Sequence, residues 1–151
     1  MLNPLYALHL LGAVIWVGGM AFALLALRPA VHATLEGPQR LALMELVYRR
    51  FFLIVWHAMP VVIVTGYAIL FAAHGGFAGV GWHVHVMNLT GLVMAGIFAA
   101  IALGPFKRMR AARAAGDTPG AAAAMDAVRK LVTTNLVLGV VTIAIAGWGR
   151  A

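Results

Sequence analysis

The chain of 151 residues contains no cysteine, which excludes disulfides, thiolate metal ligands and cysteine nucleophiles. Charge is almost as scarce: charged residues are 10% of the chain, Asp and Glu together number 4, and 64% of the residues are hydrophobic. A soluble domain of this size has too much surface to cover with so few charges, so the composition is that of an integral membrane protein. The apolar runs hold no carboxylate at all, which counts against a carrier that relays protons through buried acids. The first run has no basic segment before it and no Ala-x-Ala exit after it, so it is expected to be retained rather than cleaved as a signal peptide. A formal net charge of +7 is, in such a chain, read as a membrane-orientation signal and not as a nucleic-acid footprint.

What is present is four apolar runs, at residues 5–27, 51–73, 84–104 and 131–148. About 20 apolar residues rising ~1.5 Å each cover the ~30 Å of hydrocarbon in a bilayer. The first connection carries Arg28, Arg40, Arg49 and Arg50 against Glu36 and Glu45. The third carries Lys107, Arg108, Arg110, Arg113, Arg129 and Lys130 against Asp117 and Asp126, and the second has no Lys or Arg. The positive-inside rule therefore predicts a single all-α domain, an integral membrane four-helix bundle of a bacterial-type inner (plasma) membrane. Connections one and three are cytoplasmic in this reading, with amphipathic segments at 39–50 and 119–130, and both termini are periplasmic. Arg150 is the one dissenting charge.

Local signals set the helix ends. Pro29 and Pro105 predict that helices stop at Leu27-Arg28 and at Gly104, because proline disfavours a helical residue before it. Gly37-Pro38 and Asp117-Thr118-Pro119 read as helix starts, and Pro60 predicts a kink within the second span. Met44–Arg49 can be laid on Met125–Lys130, and Thr65-Gly66-Tyr67 on Ala146-Gly147-Trp148, at an offset of 81. Either the chain repeats a two-helix hairpin, or apolar helices with basic flanks resemble one another by chance.

Histidine is the side chain through which this sequence offers chemistry. His9 lies about one turn inside the first span, and an intramembrane imidazole is a functional candidate by default. His74, His83 and His85 gather at the same outer face, His57 sits in the second span near its inner boundary, and His32 is in the first connection. His83 and His85 are ~200° apart around a regular helix, so one site takes only one of them; His85, the deeper, is the preferred partner of His9. Two imidazoles at matching depth suit the axial positions of a b-type haem. Gly12, Gly18, Gly19, Gly91 and Gly96 are small enough to line its slot, or else to pack helices closely. Copper is the alternative ligand, held by His9, His74, His83 or His85 with methionine sulfur such as Met87. His57 offers a second haem ligand, a proton-path residue or a hydrogen-bond donor to a nearby carbonyl.

His9 with Trp16 and Gly19 resembles the first helix of the CopD-type membrane proteins and of the HemJ-type protoporphyrinogen oxidases. Arg49-Arg50, Pro60 and Thr65-Gly66 resemble their second helix, and Trp82 with His85 the entry to their third. The CopD resemblance implies copper uptake across the inner membrane. The HemJ resemblance implies a haem-b enzyme that oxidises a tetrapyrrole, with His9 as a haem ligand. This chain differs from the HemJ pattern in reading His85-Val86-Met87-Asn88, with no lysine, and Asn135-Leu136 in place of Asn-Glu.

The function expected from the sequence is haem-b-dependent electron transfer, in which His9, His85, His57, Trp16, Gly19 and Met87 contact the cofactor. Such a membrane oxidoreductase would pass electrons from a donor such as quinol to an acceptor at the outer face. Copper import and HemJ-like oxidation are the alternatives, together with a haem- or metal-sensing subunit without turnover. Lipid is the expected surroundings, a quinone or tetrapyrrole the expected small-molecule partner, and a homodimer the expected way to cover surplus apolar faces.

Overall fold

The structure, a computed structural model, describes residues 2–149; Arg150 lies outside the described residues. Those residues form helices and turns with no strand. The helices are α1 (Asn3–Phe22), α2 (Arg28–Thr34), α3 (Gly37–His74), α4 (Trp82–Leu103), α5 (Pro105–Ala114) and α6 (Thr118–Trp148). Four continuous or nearly continuous rods result: Asn3–Thr34, Gly37–His74, Trp82–Ala114 and Thr118–Trp148. All four are long and apolar enough to cross a membrane. The 38 residues of α3 measure about 57 Å at 1.5 Å per residue, well beyond the ~30 Å of hydrocarbon.

Proline behaves differently at its three decisive positions. At Gly104-Pro105 the rod breaks as expected: Gly104 leaves helical geometry, and α5 starts at Pro105. At Pro29 the expected stop is corrected, since the rod runs on to Thr34. Residues Ala23–Leu27 widen there into a π-helical stretch. A wider turn relieves the clash between the proline ring and the preceding carbonyls. At Pro60, α3 continues without a break. Asp117 caps α6 by accepting a hydrogen bond from the Gly120 amide at 2.9 Å. Gly75 ends α3 with φ +69°, a left-handed conformation that glycine adopts without a Cβ penalty.

The rods pack in consecutive pairs: α1 lies on α3, while α4 and α5 lie on α6. The starts of α3 and α6 are 81 residues apart, the offset of the sequence repeat, and both have proline in the first turn. The two hairpins thus share element order and a proline in the first turn of their second long helix. Glycines set how closely the first pair approaches. A Cβ on Gly12 would meet Val62 Cγ2 at 2.6 Å, and one on Gly19 would overlap the Phe51 ring. With lipid as apolar as leucine, such van der Waals fit holds membrane helices together.

The core lies in the half of the bundle nearer the basic residues. Phe98 of α4 meets Trp16 of α1 edge-on at 6.5 Å between centroids, Phe52 of α3 at 5.5 Å and Trp56 at 5.0 Å. Phe52 also packs on Phe106 of α5 at 4.9 Å. Edge-to-face pairs of this kind contribute ~0.5–1.5 kcal/mol each beyond buried area, so this cluster joins the two hairpins. Around it, large apolar side chains such as Leu10, Leu25 and Leu103 face outward, each about two-thirds exposed or more. A continuous apolar surface of that extent requires lipid or another apolar cover.

Charge divides the bundle into two ends. All described Lys, Arg, Asp and Glu side chains lie towards the end that holds α2, α5 and the starts of α3 and α6. Glu45 of α3 there accepts from Arg113 and pairs with Arg110 at 3.4 Å, tying α3 to α5. The opposite end has no described charged side chain and carries exposed Trp82 and Trp148, as an aromatic belt does.

Candidate functional site

His9 is the best-defined polar centre of the charge-free half. Its ring is half-buried and lies on α3, where Nδ1 donates to the Val62 carbonyl at 2.9 Å. A carbonyl only accepts, so this contact puts the proton on Nδ1 and leaves Nε2 with a free lone pair. Thr65 completes the seat. Its hydroxyl donates to carbonyls of its own helix, chiefly that of Val61, and its oxygen stands 3.3 Å from His9 Nδ1. Gly66 supplies the space: a Cβ there would sit 3.0 Å from His9 Cε1 and 3.4 Å from Nδ1. Metal-binding histidines are usually held this way, the second nitrogen bonded to a carbonyl so that the first is oriented and made more basic.

The other histidines face different neighbours. His85 is exposed and stacks on Phe77 of the turn between the hairpins, centroids 5.6 Å apart and planes at 26°. His83 is half-buried, edge-on to Trp82, and covers the backbone of Gly81 and Gly149. His74 is exposed at the end of α3. His57 is exposed on the outer face of α3 and donates from Nδ1 to the Leu53 carbonyl one turn back, at 2.8 Å. Met87 is half-buried on α4. Among the described residues no three His, Asp or Glu side chains converge as a metal site.

These positions bear on the haem geometry. His9 turns to α3 and His85 to Phe77, so the two do not flank a common slot. Gly12 and Gly19, two of the glycines expected to line it, are filled by Val62 and Phe51, whereas Gly18, Gly91 and Gly96 meet nothing. Trp16, expected at the cofactor, is 3% exposed in the aromatic core. The side chains as placed do not fit a bis-histidine haem between α1 and α4.

Several polar positions gain importance only in three dimensions. Thr65 and Gly66 form the histidine seat, 56 or more residues from His9 in the chain. Asn135 is 1% exposed; its amide nitrogen donates to the Met94 carbonyl at 3.2 Å while its oxygen has no partner. Tyr48, 1% exposed, likewise buries a hydroxyl without a partner. Asn135 was detectable as an amide within an apolar run. Tyr48 was not, because a tyrosine near a membrane boundary is expected whether it is buried or not.

The fold and its charge division define a multi-pass membrane protein that presents an oriented imidazole in the charge-free half of an all-α bundle. The family model of copper resistance protein D matches residues 45–149, about two thirds of the chain, and the chain belongs to that family. No curated protein and no solved structure matches it.

Proposed function

We propose that the protein handles copper at the membrane, taking the ion from the periplasmic side at its histidine-bearing end. Membership of the copper resistance protein D family supports the metal. The observation that carries the site is the Nδ1–H···O=C bond from His9 to Val62, which frees Nε2 as a ligand. His74, His83 and His85 at the same end are the further imidazoles, a ligand type that suits copper. Among the described residues, no three such groups converge as a cage. Loose ligation fits passage better than storage, since a transported ion must bind weakly enough to leave.

The test is a copper(I) competition titration on the purified protein, paired with cellular copper content. The His9→Ala protein is expected to bind copper at least tenfold more weakly, by about the loss a metal site suffers when its ligand support fails. Unchanged binding and unchanged accumulation would refute the role of His9. The same preparation separates copper from haem-dependent electron transfer: a Soret band that disappears in His9→Ala would transfer the ligand role to haem b.

A further inference from the structure

The basic end contains a feature that copper does not use. A cavity of about 200 Å³ opens between the starts of α2, α3 and α6, and Arg28, Arg40, Tyr48 and Arg129 are among the residues on its wall. We infer that this cavity is a binding site for a phosphate-class anion, with Arg28 and Arg40 supplying charge and the Tyr48 hydroxyl a hydrogen bond.

Three independent features converge there. First, positive charge is in excess. Asp126 is the one carboxylate on the wall, and both its oxygens are already engaged, by Arg129 at 2.8 Å and by Lys130 at 2.9 Å. Arg40 donates to the Leu35 carbonyl at 2.9 Å and to His32 Nδ1 at 3.0 Å, so neither of its contacts is an anion. Arg28 forms no ion pair with a described carboxylate. Second, Gly37 on the wall is the first residue of the 38-residue α3. The free amides and positive dipole end of a long helix favour an anion there. On α3 no side chain takes the capping role.

The third feature is Tyr48. Its hydroxyl is buried without any partner, although an unsatisfied buried polar group costs ~1–3 kcal/mol. Burial pushes this phenol's pKa up, against the smaller opposing pull of Arg28 and Arg129, both on the wall. A bound phosphate oxygen would accept the orphaned hydrogen. Volume then selects the ligand: ~300–1,000 Å³ is usual for whole small molecules, so this smaller cavity admits a headgroup or a free phosphate but no tetrapyrrole. Both sources share one chemistry, a tetrahedral phosphorus oxyanion.

The full chain in nanodiscs tests this. In phosphatidylcholine discs inorganic phosphate is titrated calorimetrically; in discs containing phosphatidylglycerol, bound lipid is counted by native mass spectrometry. Saturable one-to-one phosphate binding identifies a free anion, and retention of one phosphatidylglycerol identifies a headgroup. Arg28→Gln is expected to weaken whichever binding is seen by about tenfold or more, as loss of a charge-assisted contact does. Tyr48→Phe is expected to weaken it severalfold without lowering thermal stability in phosphatidylcholine discs, because the hydroxyl bonds nothing in the protein. Arg50→Gln removes an exposed charge outside the cavity and is expected to leave binding unchanged. Absence of saturable binding in both arms overturns the inference, as does equal weakening by Arg50→Gln and Arg28→Gln.

Discussion

Gly66→Ala separates the orientation of His9 from the stability of the bundle. The new methyl would stand 3.0 Å from His9 Cε1, so the ring must shift by a few tenths of an ångström away from α3. That shift strains the 2.9 Å bond to Val62, a loss of at most ~0.5–1.5 kcal/mol. In the opposite direction, alanine is ~1 kcal/mol better than glycine within a helix. The terms nearly cancel, and unfolding in detergent is expected to shift by less than about 1 kcal/mol. Copper affinity is expected to fall about 10–100-fold, the usual effect of losing the group that orients a metal-bound imidazole. Chelator competition for copper(I) measures the second quantity and thermal unfolding the first. Wild-type affinity in Gly66→Ala would refute the claim that the seat on α3 prepares Nε2 for metal. A parallel loss of stability and affinity would show instead that His9 is a packing residue.

Three further outcomes check the structure at other points. Gly19→Ala forces a methyl into the Phe51 ring and is expected to destabilise by ~1–3 kcal/mol, whereas Gly18→Ala meets nothing and is expected to be neutral or mildly stabilising; unfolding in detergent reads both. Asn135→Leu removes a buried amide whose oxygen has no partner, so stability is expected to hold or rise, and a fall beyond about 2 kcal/mol would show that this oxygen is engaged. Because the chain has no cysteine, single replacements map its orientation: Ala78→Cys is expected to react with an impermeant maleimide added from the periplasm, and Ala115→Cys only after lysis. The reverse pattern would invert the bundle.

The architecture was legible because a bilayer imposes it. Runs of apolar residues of spanning length have one common solution, and Asp117 starts its helix by a local rule that needs no tertiary information. Pro29 was misjudged because its clash was absorbed by a wider turn, and nothing in Ala23–Leu27 marks that adjustment. His9 was singled out from its cost in lipid, and the choice of His85 beside it rested on depth alone, which does not fix azimuth around a helix. The glycines decided it: Gly12 and Gly19 bring α1 onto α3, and the imidazole follows its helix to Val62 and Thr65. The family resemblance pointed to copper and to haem together, and the family match favours copper.

The wide turn at Ala23–Leu27 has a consequence for the geometry of the whole first rod. One additional residue in a turn advances everything after it by about 100° around the axis. The residues before it, from His9 to Met20, take their azimuth from the seam with α3. Those after it, Arg28 and His32, take theirs from the cavity at the basic end. Between them the stretch works as a phase shifter, so that one rod presents His9 to α3 and Arg28 to the cavity on different bearings without a loop. Deleting a single residue from Ala23–Leu27 would restore regular winding and swing Arg28 off its bearing, while the His9 seat keeps its own.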